Sequence, residues 1–251
     1  MKNRFLLTSL VLATAFGASA DVRYTTKTGA SPAAVTTTTW VKGKRQRMEM
    51  VTDMGTMKTK TVMLTQCDLR QNVTLDPDLK IYYVIPFDNG GGKSEGGSGT
   101  GTITNTYSVK DLGMEKVAQL NAHHWMITTQ TKATGCAGNS DTTSKVEIWT
   151  AQIPVLNCPE SANYSQPTCK IKFVENGDVK GMRAAYNGMP VKMVTYQGSQ
   201  QTSVMEFVDY STDGLADSLF APPADYKKVT ATEFQQQQQQ KMMQQFKVPN
   251  Q

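Results

Sequence analysis

Alternation of apolar and polar side chains is the feature that most restricts the fold of this chain. In the stretch RQRMEM, Met48 and Met50 share one side of an extended backbone, whereas Arg47 and Glu49 share the other. Because successive side chains of a strand point to opposite faces, this period of two predicts half-buried antiparallel strands. The same pattern recurs in segments 59–66, 81–85, 122–132, 145–150, 182–186, 191–197 and 202–210.

The stretch TQCDLRQNVTLDPDLKIYYVIP, residues 65–86, predicts a β-hairpin whose turn is centred on Pro77. Proline presets one turn dihedral, and the flanking Asp76 and Asp78 can cap the turn through their carboxylates. About ten such short strands, separated by turns, predict an antiparallel barrel or sandwich.

Four segments depart from simple alternation. Residues 107–119 are expected to include a short helix, and residues 166–176 are expected to be helical between Pro167 and Gly177. The Gly-rich stretch 89–101 predicts a flexible linker, with a mobile lid as the alternative. The Gln-rich tail, 233–251, is expected to be disordered, although Phe234, Met242 and Phe246 would fall on one side of a helix.

The first twenty residues have the organisation of a secretory signal peptide. Lys2 and Arg4 precede a short apolar run, and small residues end it at Ala20. The run is too short to span a bilayer, and no later segment is long enough. We therefore expect a mature chain that begins at Asp21, is soluble in the periplasm or outside the cell, and forms a single β domain over residues 21–232.

Charge and cysteine content indicate which partners and cross-links the chain can have. The formal net charge of the whole chain is +5, and no basic run with interleaved aromatic residues suggests nucleic acid as a partner. Four cysteines in an exported chain predict two disulfides, and we expect Cys158 to pair with Cys169 and Cys67 with Cys136. A zinc site is the alternative, but the paired short spacing that zinc sites use is absent.

Reactive constellations are not visible. His123 and His124 are adjacent on a predicted strand, so their rings should point to opposite faces, one packed and one exposed. The sequence contains no nucleophile elbow, zinc-protease pair or Walker loop. We expect neither a catalytic residue nor a cofactor or metal, and we expect the protein not to be an enzyme.

Methionine is unusually frequent, with fourteen in the chain. Ordinary core packing is the simplest explanation, but flexible and polarisable thioethers also suit an apolar cavity with variable contents. Copper(I) binding by thioethers is a third possibility, for which Met48, Met50, Met54 and Met57 are candidates. For a cavity, the candidate lining residues are Trp40, Met48, Met50, Met63, Trp125 and Trp149.

The order of these segments resembles a known group of exported proteins. The signal peptide is followed by WVKGKRQRMEM, CDLRQNVTLDPDLKIYYV, a Gly-rich gap, VKDLGMEKVAQLNAHHWMIT, VEIWTAQIP, GMPVKMV and LFAPPADYKKV. The arrangement is similar to uncharacterised members of the superfamily that includes LolA, LolB and RseB. That resemblance implies a strongly curved antiparallel sheet, an unclosed barrel, with a few covering helices and an apolar cavity. This chain departs from it because residues 21–39 suggest strand or loop where a carrier has a helix.

The resemblance implies a binding protein that holds a lipid or a lipoprotein acyl chain. The alternative is an envelope sensor with a filled interior that recognises a lipoprotein or membrane-associated protein through residues 89–101 or the tail. Both hypotheses make the protein a binding module, and they differ in whether the interior has room for a guest.

Overall fold

The computed structural model describes residues 21–29, 34–53, 58–87, 99–156, 158 and 169–246, so the predicted signal peptide lies outside the described residues. Thirteen strands of the described chain form one sheet. The strands are β1 Val22–Thr28, β2 Ala34–Lys42, β3 Arg45–Asp53, β4 Lys58–Gln66, β5 Gln71–Asp76, β6 Ile81–Pro86, β7 Gly99–Val117, β8 Leu120–Gly135, β9 Ser140–Ala151, β10 Cys169–Gly177, β11 Met189–Gln197, β12 Gln200–Ser211 and β13 Lys227–Lys228. The helices are α1 Val179–Ala185 and α2 Ala231–Phe246, with a 3-10 turn at Asp217–Phe220. Neither α-helix is long and apolar enough to cross a membrane.

The sheet is linear in its strand order and therefore unclosed. Its order is β10-β7-β8-β9-β11-β12-β1-β2-β3-β4-β5-β6-β13. The pairings within it are antiparallel, except that β10 runs parallel to β7 and β13 runs parallel to β6 at the two ends. The predicted fold class, a mainly β protein with an unclosed antiparallel sheet and a few helices, is confirmed, with parallel edge strands as an addition.

The sheet curves strongly. Strands β7 and β12 are separated by three other strands, and a flat sheet would hold them roughly 19 Å apart at the usual strand spacing. Cα atoms of these two strands nevertheless come within 8 Å of each other. A hydrophobic cluster that includes Val117 of β7, Trp149 of β9 and Phe207 of β12 packs in this part of the sheet, with Tyr24 of β1 against it.

The predicted turn at Pro77 is present. One carboxylate oxygen of Asp76 accepts hydrogen bonds from the backbone N–H groups of Asp78 and Leu79, both at 3.0 Å. Strands β5 and β6 pair directly on either side of this turn. Asp76 is only 2% exposed, so the turn is anchored in the protein and not in solvent.

Three local predictions were wrong. Residues 107–119 continue strand β7 as far as Val117, because β8 pairs with β7 along almost its whole length. Residues 169–177 form strand β10, whose KIKFV alternation fits its place beside β7 better than a helix would. Residues 182–186, which alternate like a strand, instead belong to α1 and the turn after it; Asp178 caps this helix by accepting a hydrogen bond from the N–H of Gly181.

The expectation of a disordered tail was also wrong, since residues 231–246 form α2. Thr230 and Glu233 begin the helix with a reciprocal capping box: the Thr230 hydroxyl accepts from the Glu233 N–H, and Glu233 accepts from the Thr230 N–H. Phe234 is 3% exposed, and its ring centroid lies 4.7 Å from that of Tyr83. The side chains of Met242 and Phe246 lie outside the described residues.

The Gly-rich prediction falls largely outside the described residues, which omit 88–98. Residues 99–101 are not linker but the start of β7. Gly101 is required there, because a Cβ atom at this position would lie 2.7 Å from the backbone nitrogen of Ala137.

Two disulfides are present, but the expected pairing was wrong. Cys67 bonds to Cys158 and Cys136 bonds to Cys169, with Cα separations of 5.2 and 5.9 Å. The reason is strand pairing: Cys169 begins β10 directly beside Gly99 of β7, and Cys136 follows the end of β8 next to the same glycine. The sheet therefore sets which sulfurs meet, and loop length along the chain does not.

Candidate ligand-binding face

Both helices lie on the same face of the sheet. Ala185 of α1 packs against Ile127 and Ile148, while Phe234 of α2 packs against Tyr83. Direct cross-strand partners project to the same face of a sheet. The face runs from β8 to β1 through the pairs Trp125–Ile148, Ile148–Met193, Met193–Met205 and Met205–Thr28. It continues to β6 through Tyr24–Thr39, Thr39–Met48, Met48–Met63, Met63–Thr74 and Thr74–Tyr83.

We call this side the helix face and the other side the opposite face. Between the two helices, the helix face of strands β11, β12 and β1–β4 carries no formally charged side chain. We call this part the neutral band. It consists of Met193, Thr195, Ser203, Met205, Phe207, Tyr210, Val22, Tyr24, Thr26, Thr28, Val35, Thr37, Thr39, Val41, Gln46, Met48, Met50, Thr52, Thr59, Thr61, Met63 and Thr65.

Charged residues of the same six strands all project from the opposite face. They are Arg23, Lys27, Lys42, Arg45, Arg47, Glu49, Asp53, Lys58, Lys60, Lys192, Glu206 and Asp209. Many of them form ion pairs there, such as Arg23 with Asp209 at 2.6 Å and Lys192 with Glu206 at 3.4 Å. The separation of charge between the two faces is complete in this part of the sheet.

Methionines supply accessible apolar surface on the neutral band. Met50 is 36% exposed and Met63 is 38% exposed, and Met48, Met193 and Met205 are half-buried. Four of the six predicted lining residues, Met48, Met50, Met63 and Trp125, thus share the helix face.

The other two predicted lining residues lie on the opposite face. Trp40 is the direct partner of Arg47, whose guanidinium carbon lies 5.9 Å from the indole centroid. Trp149 stacks on His124 at 3.8 Å, and its indole N–H donates to Glu115 at 2.7 Å. That hydrogen bond holds the pKa of Glu115 below its ordinary value. A role in lining a cavity stays a prediction for all six residues.

The two histidines point to opposite faces, as their adjacency predicts. His124 is packed, 8% exposed, against Trp149 on the opposite face. His123 is on the helix face with 37% of its side chain exposed; it stacks on Trp125 at 4.1 Å and shares a 2.6 Å hydrogen bond with Asp111. This hydrogen bond, helped by the Gly113 N–H, lowers the pKa of Asp111.

A cleft lies beside each helix, and the one beside α2 includes Thr59 and Thr61 of the neutral band. Beside α1, a cleft of about 370 Å³ is lined by Met114, Asn121, His123, Trp125, Thr150, Ala151, Gln152, Ala184 and Asn187. Beside α2, a cleft of about 190 Å³ is lined by Lys58, Thr59, Lys60, Thr61, Asp76, Gln238 and Lys241. A third cleft, of about 450 Å³, lies among charged residues of the opposite face such as Lys42 and Arg45.

The model of one protein family, described as Domain of unknown function (DUF4412), matches residues 25–226. The chain belongs to the DUF4412 family. No curated protein matches this DUF4412 chain.

Solved structures that are similar to the DUF4412 chain include an uncharacterized conserved protein from Thermus thermophilus. It is 9% identical with a TM-score of 0.42, covering 84% of this chain and 91% of that one. MucB is 10% identical with a TM-score of 0.39, covering 84% and 60% of the two chains. MucB in complex with MucA(peri) is 12% identical with a TM-score of 0.40, covering 85% and 58%. Similarity at this level carries no residue or activity over to the DUF4412 chain.

Sequence reasoning missed Tyr24, Met193 and Met205 as residues of this face. Alternation shows which residues of one strand share a side, but only the strand register shows which sides of different strands coincide. One signal was available: in β3 and β4 the charged residues alternate with Gln, Met or Thr. In β12, Glu206 and Asp209 are three residues apart and share a face only through a register shift that the sequence does not reveal. Met54 and Met57, the other copper candidates, lie outside the described residues.

Proposed function

We propose that this DUF4412 protein is a non-enzymatic binding protein that holds the acyl chain of a lipid or lipoprotein on the neutral band. The observation that carries the proposal is the complete separation of charge between the two faces of β11, β12 and β1–β4. A hydrocarbon chain laid on the neutral band would not strip water from the charged side chains of these strands, and desolvating a charge without a partner is costly.

Methionine supplies the attraction. Met50 and Met63 keep more than a third of their surface exposed, so they have apolar area left to bury against a guest. Their side chains are flexible and polarisable and adapt to chains of different length and saturation. Each buried methylene contributes about 0.8 kcal/mol, so ten of them would contribute roughly 8 kcal/mol before the cost of ordering the chain is subtracted.

The proposed location is an exported compartment, and the proposal includes no catalytic step. Two disulfides are consistent with an oxidising, extracytoplasmic environment. His123 and His124 are each close to carboxylates and point to opposite faces, an arrangement that favours structural roles over acid–base catalysis.

Native mass spectrometry of the protein purified from its own cell envelope tests the proposal directly. We expect a population whose mass exceeds that of the chain by one lipid, and a second spectrum after delipidation in which the excess is lost. Recovery of the bare chain alone under both conditions would contradict acyl binding.

Tryptophan fluorescence locates the guest. Addition of a long-chain fatty acid to the delipidated protein should shift emission in the wild type and in W40F, because Trp40 is on the opposite face. The shift should be lost in W125F, since Trp125 is at the α1 end of the helix face.

The double variant M50Q/M63Q should bind more weakly, whereas L69Q, at an exposed turn residue off this face, should bind normally.

Recognition of an envelope protein is the second candidate function, and strand β10 favours it. Phe173 is 67% exposed and Ile171 is 38% exposed on one side of this strand. Among the described residues no strand pairs with its outer edge. Open edges accept partner strands through backbone hydrogen bonds. F173K should reduce the recovery of a crosslinked partner from intact envelopes, with L69K as control, and equal recovery from both variants would remove this candidate.

A further inference from the structure

We infer a binding site for a single Cu(I) ion, formed by the sulfur atoms of Met48, Met50 and Met63 on the helix face. Met48 is the direct cross-strand partner of Met63. Met50 is two residues along β3 from Met48 and therefore projects from the same face. The site is independent of the proposed acyl binding, because it requires sulfur and not merely apolar surface.

Strand geometry lets the three sulfurs converge. The Cβ atoms of direct partners such as Met48 and Met63 lie about 4.5–5.5 Å apart in an antiparallel pair, and diagonal neighbours such as Met50 and Met63 about 7 Å apart. Each sulfur is two bonds beyond its Cβ on a side chain with freely turning torsions. Rotamer changes alone can therefore bring the three thioethers to one point above the sheet, with no movement of the backbone.

The surroundings select the metal. Soft thioethers prefer Cu(I), whereas zinc and harder cations prefer imidazole, thiolate or carboxylate ligands. The direct partners of these methionines on the neighbouring strands are Thr37, Thr39, Thr61 and Thr74, which carry no charge. Over the residues that the structure describes, no group of three or more His, Cys, Asp or Glu is placed to hold a metal. A monovalent ion is also the least costly charge to place on a neutral surface.

The ion can reach the site from solvent. Met50 and Met63 are 36% and 38% exposed, and Met48 is half-buried. A second methionine pair, Met193 and Met205, lies on the same face but on β11 and β12, with β1 and β2 between it and the trio. That pair offers only two sulfurs and serves as a matched control.

A competition titration under anaerobic, ascorbate-reduced conditions tests the site, with the chromogenic Cu(I) chelator bathocuproine disulfonate as competitor. The delipidated full chain should withdraw one Cu(I) ion from the chelator. M48L/M50L/M63L should lose this uptake, and M193L/M205L should keep it. Equal uptake by the triple variant and the wild type would overturn the assignment, as would no uptake by the wild type.

Leucine keeps the apolar area of each position but removes its sulfur, so loss of copper uptake by a folded triple variant identifies a sulfur site. The copper titration uses delipidated protein and does not depend on acyl binding, so failure of acyl binding would leave the copper result intact. If the triple variant does not fold by near-ultraviolet circular dichroism, M50L and M63L are measured singly. Each removes one ligand and should retain copper less well against the chelator than M193L does, and equal retention would overturn the proposal.

Discussion

The two faces of strands β3 and β4 differ in their side-chain interactions: one face carries ion pairs and the other carries uncharged side chains. On the opposite face, Glu49 accepts hydrogen bonds from Arg47 and pairs with Lys60, each with a shortest contact of 2.6 Å. On the helix face, Met48 and Met63 meet with no polar contact between them and with Met63 still 38% exposed. In these two strands, ion pairs and hydrogen bonds fix the side chains of the opposite face, whereas the methionines of the helix face make no directional contact with each other.

This difference teaches how a sheet can keep a partly open face and still be stable. On the opposite face of β4 and β5, Val62, Leu64, Val73 and Leu75 are at most 2% exposed and pack with Tyr226 of the C-terminal segment. Gln66 also donates a 2.7 Å hydrogen bond to the carbonyl of Phe220 in that segment. The covered opposite face of β4 and β5 therefore contributes to stability, while the neutral band combines buried residues such as Phe207 and Thr39 with methionines that stay partly exposed.

A charge placed in the neutral band should have the largest effect. Thr39 and Thr38 are neighbours of similar chemistry, but Thr39 is on the helix face and 2% exposed, whereas Thr38 is on the opposite face beside Glu49. T39K would bury a charge without a partner, and we expect it to lower the free energy of unfolding by roughly 3 kcal/mol or more. The measurement is the urea midpoint at pH 7.

T38K is the control for this comparison. Its ammonium group can approach Glu49 and remain hydrated, and the variant loses the 3.1 Å hydrogen bond between the hydroxyls of Thr38 and Thr25. The change in unfolding free energy should therefore stay within about 1.5 kcal/mol, well below that of T39K. Similar losses in both variants would show that the two faces do not differ in their tolerance of charge, and the neutral band would lose its physical meaning.

Removal of the anchor of α2 should have the next largest effect. Phe234 of α2 is buried against Tyr83, and F234A should cost about 2–3 kcal/mol. This is less than the roughly 3–5 kcal/mol that Phe→Ala usually costs in a core, because α2 can leave the sheet instead of preserving a cavity. Hydrogen exchange should accelerate in α2 and leave β7–β9 protected.

Q235A is the matched control, because Gln235 is the exposed next residue of the same helix. Its hydrogen exchange should match that of the wild type. Slow exchange of α2 in F234A would mean that the ion pairs of Lys241 with Asp76 and Asp78 hold the helix by themselves.

The sequence was informative about single strands and poor about how strands meet. The alternation of Met48 and Met50 with Arg47 and Glu49 identifies two faces of β3 correctly, because the period of two is a property of the backbone itself. Nothing local records that β10 joins the far edge of the sheet beside β7. The same gap explains the wrong disulfide pairing and the assignment of Trp40 and Met48 to one lining, although they lie on different faces.

The helical errors have a different cause. Residues 182–186 alternate like a strand but belong to α1 and its C-terminal turn, since Asp178 caps the segment and Ala185 fits between Ile127 and Ile148. In the tail, the low hydrophobicity of the glutamines outweighed the correct signal, which was the spacing of Thr230, Glu233 and Phe234. The packing of Phe234 against Tyr83 accompanies the formation of α2, and amino-acid composition could not reveal that contact.

The smallest expected effect probes the fixed face through pH. Burial raises the pKa of Glu49, but hydrogen bonds from Lys60 and Arg47 lower it by more, so its folded pKa lies below the ordinary 4.5. Ionised Glu49 therefore stabilises the folded state above pH 4.5, and this contribution is lost as the pH falls through the lowered pKa. E49Q should cost about 1 kcal/mol at pH 7 and progressively less below pH 4.5, measured by urea unfolding at pH 7 and below pH 4.5.

E175Q, which alters the more exposed pair with Arg183, should differ little from the wild type at either pH. A cost of E49Q that stayed constant with pH would show that Glu49 acts through packing and not through its charge, and the contrast between a face fixed by ion pairs and a neutral face would then rest on the neutral band alone.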